Sequence, residues 1–282
     1  MPELPEVELL RRGISHYITS QTIEDVEVLT PKVFHGDSKL TIGGKVSGVR
    51  RFGKMLSIDL SNGFSLAVHL KMTGRLIYRG KKQPAHLEVD ADLTTLPGKH
   101  THVVFSFRSG DRLYFNDVRR FGWVQVVKTE HIEGIPFVSK LGPEPGKMLD
   151  ANHFAEILKR YTRPVKLLLM DQERISGVGN IYANEALFCA KILPDRRASQ
   201  LTFVEAETLF ECILKVFGEG LKYGGASNDA YRDVLGQKGK YQEHYLVYDQ
   251  EGQPCKRSGC GGIIIKKMIG GRGTYWCPKC QR

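Results

Sequence analysis

Long apolar runs are missing from this chain of 282 residues. A helix that crosses a bilayer needs about 18 or more consecutive apolar residues, whereas the best run, Val165 to Met170, is short and interrupted by Lys166. No membrane partner is expected. The start also lacks the basic and then apolar pattern of a secretory leader, because Met1-Pro2-Glu3-Leu4-Pro5-Glu6-Val7-Glu8 is acidic. A cytoplasmic location is therefore expected. Neither an internal repeat nor a low-complexity tract is present, which argues against a solenoid or a disordered tail. Acidic residues are in deficit: 31 Asp and Glu face 41 Lys and Arg, a net charge of +10. That balance favours a polyanionic partner, nucleic acid or acidic membrane, without separating these from a merely soluble basic protein. Cysteine is scarce outside one place. Of six in the chain, Cys189 and Cys212 stand alone in helical patterns, and the other four crowd the C-terminal end.

What remains is an ordinary globular composition, 41% apolar and 26% charged, enough for a sizeable core. The length suggests two domains with a small appended module. Pro5 suits a first helical turn, and Val7, Leu10 and Ile14 share one face, predicting a helix over Val7 to Tyr17. From Lys45 to Lys128 the pattern turns to short alternating segments: Met55 to Leu60, Phe64 to His69, Val103 to Phe107 and Arg112 to Phe115. Ser61-Asn62-Gly63 and Ser109-Gly110-Asp111 separate them as turns, so hairpins of a β-sandwich or barrel are expected. Gly142-Pro143-Glu144-Pro145-Gly146 cannot propagate helix or strand, which sets the interdomain linker just before it. Beyond it, Phe154, Ile157, Leu158 and Tyr161 form one helical stripe. Phe203, Ala206, Phe210, Ile213, Leu214, Phe217 and Leu221 form a longer one, and both are expected to be core. After Gly224-Gly225 a polar stretch to about Gln242 reads as a mobile loop.

Cys255-x4-Cys260 and Cys277-x2-Cys280, separated by sixteen residues, give the paired-cysteine spacing of a structural zinc site. Four thiolates complete a tetrahedron and leave no open position for catalysis. Ile263 to Met268 and Thr274 to Trp276 read as two strands joined by Gly270-Gly271-Arg272-Gly273, a hairpin whose tip presents Arg272. From Cys255 to Arg282 there are seven Lys or Arg and no Asp or Glu, the electrostatic footprint of a phosphate-binding finger. Gly177-Val178-Gly179-Asn180 leads into a helical pattern with Asn180 at the cap position. Its first N–H groups suit either an ordinary Asn cap or a phosphate.

Loss of Met1 would expose the secondary amine of Pro2 beside Glu3 and Glu6. An α-amino group titrates about 2.5 units below a lysine, so it is neutral far more often at pH 7 and can attack without a special base. Added to an aldehydic sugar carbon, it gives a cationic iminium that acidifies the neighbouring carbon and promotes β-elimination of phosphate, with Glu3 near enough to move protons. On these residues alone, the preferred reading is that Pro2 merely starts the chain and Pro5 starts a helix.

Seven segments together carry a resemblance. Met1 to Glu8, Arg51-Phe52-Gly53-Lys54, His69-Leu70-Lys71-Met72, Lys99-His100-Thr101-His102, Asp117-Val118-Arg119-Arg120-Phe121-Gly122, Gly177 to Glu185 and the cysteine finger resemble the formamidopyrimidine-DNA glycosylase family, end to end and in order. The resemblance implies a multidomain α+β protein. Its N-terminal β-sandwich with an N-terminal helix would take residues 1–134. A helical helix-two-turn-helix domain, 135–244, would contain a lesion loop at about 224–242, and a zinc hairpin would occupy 245–282. It implies a monomeric base-excision repair enzyme acting on damaged double-stranded DNA, removing oxidised purines and then cleaving the strand by β,δ-elimination. By the same resemblance Pro2 is the Schiff-base nucleophile, Glu3 the general acid, Lys54 a phosphate-binding helper and Arg272 a phosphate ligand at the lesion. Asn180 matches a phosphate clamp, and His100 and Arg119 match DNA contacts. Met72, Arg119 and Phe121 match the side chains that fill the stack vacated by a flipped base. One zinc is the implied cofactor.

Two departures stand out. Where the family usually has Ser or Thr, then Arg and an aromatic, this chain has Ala226-Ser227-Asn228-Asp229-Ala230-Tyr231, with Asp229 in the place of the Arg. Ser227, Tyr231 and backbone amides are then the candidates for reading the lesion. The x4 knuckle is wider than usual but within zinc tolerance. Two competing readings are an endonuclease VIII-like enzyme for oxidised pyrimidines, against which Leu4 speaks, and a noncatalytic zinc-ribbon protein that binds damaged DNA and would not need Pro2 as a free amine.

Overall fold

The computed structural model describes residues 1–228 and 230–282; Asp229 lies outside them. The chain divides into two compact units, residues 1–139 with 221–242, and residues 140–220 with 243–282.

The first unit opens with α1 (Leu4–Ile18). Pro5 sits in its first turn, where the missing N–H has no helical acceptor to lose. Val7, Leu10, Ile14 and Ile18 are all buried, each stabilising the fold by about 1.5–3 kcal/mol. Nine strands follow: β1 (Ile23–Val28), β2 (Phe34–His35), β3 (Val46–Phe52), β4 (Met55–Leu60), β5 (Phe64–His69), β6 (Gly74–Arg79), β7 (Thr101–Phe107), β8 (Arg112–Asp117) and β9 (Trp123–Lys128), with the short α2 (Pro136–Ser139) after them. They form a five-stranded sheet in the order β2-β9-β5-β4-β3 and a four-stranded sheet in the order β1-β7-β8-β6. Alternation sorts the side chains. Leu56 and Ile58 of β4 share one core with Leu66, Phe105, Phe115 and α1, while Met55 packs on the opposite face with Ile132, Ile135 and Val138. A shared core between two sheets makes this a β-sandwich.

The segment after Gly224 belongs to this unit instead of the helical one, and it is anchored, contrary to the expectation of a mobile polar loop. Tyr231, Val234 and Leu235 enter the sandwich core. Tyr78 N donates to the Val234 carbonyl at 2.7 Å, Arg75 Nε to the Ala230 carbonyl at 2.7 Å and Arg79 Nη1 to the Leu235 carbonyl at 3.0 Å. Polar composition concealed this because its apolar residues recur without a period.

The second unit holds α3 (Ala151–Lys159), α4 (Val165–Leu169), α5 (Asn180–Cys189) and α6 (Phe203–Lys222), then β10 (Ile265–Ile269) and β11 (Arg272–Trp276). Along α6, Ala206, Phe210, Ile213 and Phe217 are buried as the stripe predicts, but Phe203 and Leu214 are exposed by 46% and 37%. The buried arc runs instead through Leu209, Cys212 and Val216, so the observed stripe is rotated by part of a turn from the expected one. Cys212 forms a disulfide with Cys189 of α5, their Cα atoms 5.8 Å apart; the two cysteines read as solitary in sequence are a pair in space. β10 and β11 form an antiparallel hairpin in which Ile269 faces Arg272. The turn is thus only Gly270-Gly271, both with positive φ (56° and 72°), as a two-residue turn matched to strand twist requires. Arg272 is the first residue of β11 and not part of the turn. Among the described residues no helix is long and apolar enough to cross a membrane.

Candidate active site and nucleic-acid interface

In the first unit, Pro2 and Glu3 stand directly before α1, and both are buried. Glu3 is the N-cap. Its carboxylate accepts the Glu6 N–H, and the Glu6 carboxylate accepts the Glu3 N–H at 2.8 Å, a reciprocal capping box. The other Glu6 oxygen accepts the Ala226 N–H at 2.9 Å. Gly225 makes this approach possible: its φ is +84°, and a Cβ there would lie 2.8 Å from the Tyr231 ring and 3.0 Å from Glu6 Cγ. Glu6, which sequence reading left unassigned, therefore fixes both the Pro2-Glu3 start and the loop.

Within that loop Ser227 Oγ donates to the Tyr231 carbonyl at 3.0 Å and accepts from Gly239 N at 2.9 Å. Tyr231 is buried, and among the described residues its hydroxyl has no hydrogen-bond partner. Burial, reinforced by the Glu6 and Asp233 carboxylates, raises that phenol well above its ordinary value. Both side chains are directed into the unit.

Lys54 is buried in the Gly53-Lys54 turn between β3 and β4. Arg51 braces the turn, donating through Nη1 to the Gly53 carbonyl at 3.1 Å and through Nε to Glu8 Oε2 at 3.1 Å. α1 and the Lys54 turn are thus joined by one guanidinium. His69, paired with Met55 across the strands, is held down to about 3 by burial and by the Lys71 and Lys54 charges; its neutral Nδ1 accepts the Lys71 N–H at 2.9 Å.

Met72 sits in the tight turn from Leu70 to Gly74, where Gly74 N donates to the Leu70 carbonyl at 2.9 Å. Arg119 and Phe121 lie on the turn between β8 and β9. Phe121 is 55% exposed, and the Arg119 guanidinium covers it at 4.7 Å. His100 is half-buried and its carbonyl accepts Asp117 N at 2.9 Å. The neighbouring His102 is structural: its ring nitrogens meet Thr30 Oγ1 at 2.9 Å and the Asp117 carbonyl at 2.7 Å.

In the second unit the helix cap falls on Gly179, and Asn180 is the first residue of α5. The sequence placed the cap one residue too late because Gly179 adopts the extended N-cap backbone (φ −128°, ψ −161°). Asn180 Nδ2 donates to the Gly273 carbonyl at 3.2 Å, and the buried Lys166 Nζ reaches the same carbonyl at 2.9 Å and Thr274 Oγ1 at 2.6 Å. Asn184 accepts Tyr275 N at 2.8 Å. The hairpin is thereby docked on the first turn of α5, and the exposed Arg272 emerges beside Asn180 and the helix N-terminus. Glu185, fully buried, accepts the amides of Leu246, Val247 and Tyr248 at 2.8–2.9 Å; burial raises its carboxyl despite those donors.

The four C-terminal cysteine sulfurs all lie within 4.8 Å of one another, with Cys255–Cys280 at 3.8 Å and Cys260–Cys277 at 3.6 Å. Tetrahedral zinc at about 2.3 Å from each sulfur requires spacings of about 3.8 Å, so the set fits. Burial pushes the Cys277 thiol up, but the Lys279 and Cys280 amides and the neighbouring thiols outweigh it and hold it at about 7. These cysteines are the ligand set of one structural zinc. Nothing reacts there, since no ligand position stays open.

A zinc hairpin docked on the N-terminus of a helix, with a cation at the docking point, is an arrangement suited to holding a phosphate. Residues 1–124 match the formamidopyrimidine-DNA glycosylase N-terminal domain, 141–231 the H2TH domain of the same enzymes, and 252–282 the zinc finger found in FPG and IleRS. A formamidopyrimidine-DNA glycosylase of Pelotomaculum thermopropionicum is 43% identical over all of this chain and 99% of its own length. The crystal structure of MutM (Fpg) from Thermus thermophilus superposes with a TM-score of 0.85 at 37% identity, covering 99% of this chain and 98% of that one. A complex of Lactococcus lactis Fpg with DNA containing an abasic site gives a TM-score of 0.86 at 33% identity, covering both chains fully. The chain belongs to the formamidopyrimidine-DNA glycosylase family. It is a DNA glycosylase and abasic-site lyase of base-excision repair.

Proposed function

We propose that this enzyme removes oxidised purines from double-stranded DNA through a Schiff base at Pro2 and then cuts the strand on both sides of the abasic sugar. Removal of the exposed Met1 frees the Pro2 amine. Its nitrogen forms a bond to C1′ of the sugar, the glycosidic bond breaks, and the base leaves with a proton. Glu3 protonates the ring oxygen as the sugar opens, giving the iminium. Loss of the C2′ proton then expels the 3′ phosphate, a second elimination expels the 5′ phosphate, and water releases the enzyme. Lys54 and Arg272 neutralise the phosphates, with Asn180 clamping one of them and His100 contacting the strand. Met72, Arg119 and Phe121 fill the vacated stack.

The observation that carries this reading is the capping box. It presents Pro2 at the fixed end of a helix, with Glu3 adjacent and Glu6 tying both to the loop. Because Ser227 Oγ is engaged by backbone and Tyr231 is turned inward, the loop's contribution to lesion reading falls to its backbone amides. Asp229 belongs to this loop but lies outside the described residues. The enzyme works as a monomer in the cytoplasm.

Borohydride should trap the protein covalently on abasic-site DNA. Pro2→Gly should weaken trapping, and Glu3→Gln should impair base excision more than cleavage of preformed abasic sites. Mass spectrometry finding Met1 retained in fully active protein would sink the mechanism.

A further inference from the structure

The three side chains assigned to the vacated stack come from two turns far apart in sequence, and a single buried carboxylate holds both. Asp117 is 1% exposed. Its Oδ1 accepts the Thr73 hydroxyl and, at 3.1 Å, the Arg119 N–H; its Oδ2 accepts Gly122 N at 2.7 Å. Thr73 Oγ1 in turn accepts Arg119 N at 3.0 Å. The Met72 turn is therefore bonded through its next residue to the start of the Arg119-Phe121 turn, and the same carboxylate closes the far end of that turn at Gly122. The backbone of Asp117 is fixed as well, its N–H by the His100 carbonyl at 2.9 Å and its carbonyl by His102 Nε2 at 2.7 Å.

We infer that Asp117 is a positioning residue for base extrusion, which locks the Met72 turn and the Arg119-Phe121 turn into one wedge. This rests on the assignment of Met72, Arg119 and Phe121 to the vacated stack. The chemistry of the carboxylate explains why the residue is acidic. Three donors converge on two oxygens, and an ionised carboxylate accepts at both. Asparagine offers one oxygen and one NH2: with the oxygen toward Arg119 the NH2 faces the Gly122 N–H and leaves it unpaired, and with the oxygen toward Gly122 the Thr73 hydroxyl loses its acceptor while Arg119 N keeps only Thr73 Oγ1. The wedge residues need such a lock because two of them are exposed. Arg120 between them has a positive φ of 55°, a conformation unfavourable for a non-glycine residue, and the exposed Phe121 ring is covered by the Arg119 guanidinium. The cost of ordering these turns is met before DNA arrives, which is preorganisation.

The test uses zinc-loaded, full-length protein carrying Asp117→Asn, Thr73→Val or Thr73→Ser, with Met72→Ala and Phe121→Ala as controls. Two substrates are compared, a duplex with an intact lesion base and one with a preformed abasic site. A third duplex, carrying 2-aminopurine opposite a tetrahydrofuran abasic analogue, reports filling of the stack by its fluorescence. Asp117→Asn and Thr73→Val should slow single-turnover base excision by roughly tenfold, the scale of one lost buried hydrogen bond. Cleavage of the preformed abasic site should fall much less, and Thr73→Ser should restore both. The 2-aminopurine signal should shift with Thr73→Val as it does with Met72→Ala. If Asp117→Asn fails to fold, the Thr73 pair carries the test alone. Wild-type excision and fluorescence in Thr73→Val, alongside impaired Met72→Ala, would overturn the proposal and leave the stack assignment standing. Controls that themselves excise and fluoresce as wild type would overturn the assignment and the proposal with it. An equal loss on both substrates would show a general structural role and also overturn it.

Discussion

Glu8 is gripped by three guanidinium groups, Arg11 and Arg12 at 2.9 Å and Arg51 at 3.1 Å. Burial pushes its carboxyl up, yet those three outweigh burial and hold it at about 2, below its ordinary 4.5. The folded state therefore gives up the Glu8 proton more readily than the unfolded state does. The stabilisation is complete above pH 4.5 and is lost as the pH falls toward 2. Its full size is about 3.5 kcal/mol as an upper figure, from roughly 1.4 kcal/mol per unit, and solvent screening at the partly exposed Arg11 and the exposed Arg12 lowers it. His69 acts in a higher window. Its folded value of about 3 lies below the ordinary 6.5, so the unfolded chain takes up the proton first and stability falls as the pH drops from 6.5 toward 3. Thermal melts between pH 7 and 3 should separate the two. Glu8→Gln should flatten the steepest acid limb, below about pH 4.5, and leave the higher limb intact, whereas His69→Gln should flatten the higher limb. Parallel curves for wild type and Glu8→Gln across the whole range would show that the three-arginine grip contributes nothing.

Elements defined by local signals were legible in the sequence, and elements defined by distant partners were not. β4 and β5 fall on Met55–Leu60 and Phe64–His69 as the alternation predicts, because period and turn residues are written within a few positions. The cysteine spacing likewise revealed the zinc ligands. Asp117, by contrast, meets Thr73 across 44 residues, and Glu6 meets Ala226 across 220; nothing local to either carboxylate announces such a partner. The same holds for Cys189 and Cys212, and for Lys166 under the hairpin. The zinc hairpin shows the two cases together. Its glycine turn was legible, while its seat was not: a Cβ on Gly270 would lie 2.5 Å from Leu167 Cδ2, whereas one on Gly271 meets nothing within 4 Å. Both positions have positive φ, so alanine at either costs about 1–2 kcal/mol in backbone strain. Gly270→Ala also forces the end of the half-buried Leu167 side chain to move aside. We expect Gly270→Ala to weaken DNA binding more than Gly271→Ala, and Gly271→Asn to be nearly silent, since asparagine tolerates this conformation. Duplex-binding titrations of zinc-loaded variants decide it; equal losses for the two alanine variants would mean that the seat on Leu167 does not matter.

At the scale of the whole molecule the net charge of +10 is unevenly spread, and the segment from Cys255 to Arg282 carries seven cations and no acidic side chain. Zinc thiolates place negative charge at both ends of that segment, so part of its basic excess neutralises the metal site. Arg257 belongs to this part: a hydrogen bond from its side chain favours the Cys280 thiolate, while its Nη2 donates to the Phe188 carbonyl at 2.6 Å and its guanidinium covers the Phe188 ring at 5.0 Å. Arg272 belongs to the other part, being exposed and set beside the N-terminus of α5 by Asn180 and Lys166. The two kinds of cation should respond differently to salt. A residue that neutralises one phosphate contributes about 0.9 to the slope of log affinity against log salt concentration. A residue that braces the finger lowers affinity at every salt concentration without that change in slope. Arg272→Ala should therefore reduce the slope by about one contact while leaving zinc content unchanged. Arg257→Ala should loosen the finger and lower zinc retention against a chelator, with a smaller change in slope. Removing the metal itself, or Cys277→Ser, should abolish the contribution of the finger while the β-sandwich stays folded, because the sandwich core contains no residue of the cysteine module. Binding titrated from low to moderate salt, with metal content measured on the same samples, tests all three. An unchanged slope in Arg272→Ala would remove this residue from the phosphate contacts, and with it the strongest reason for the hairpin to be docked where it is.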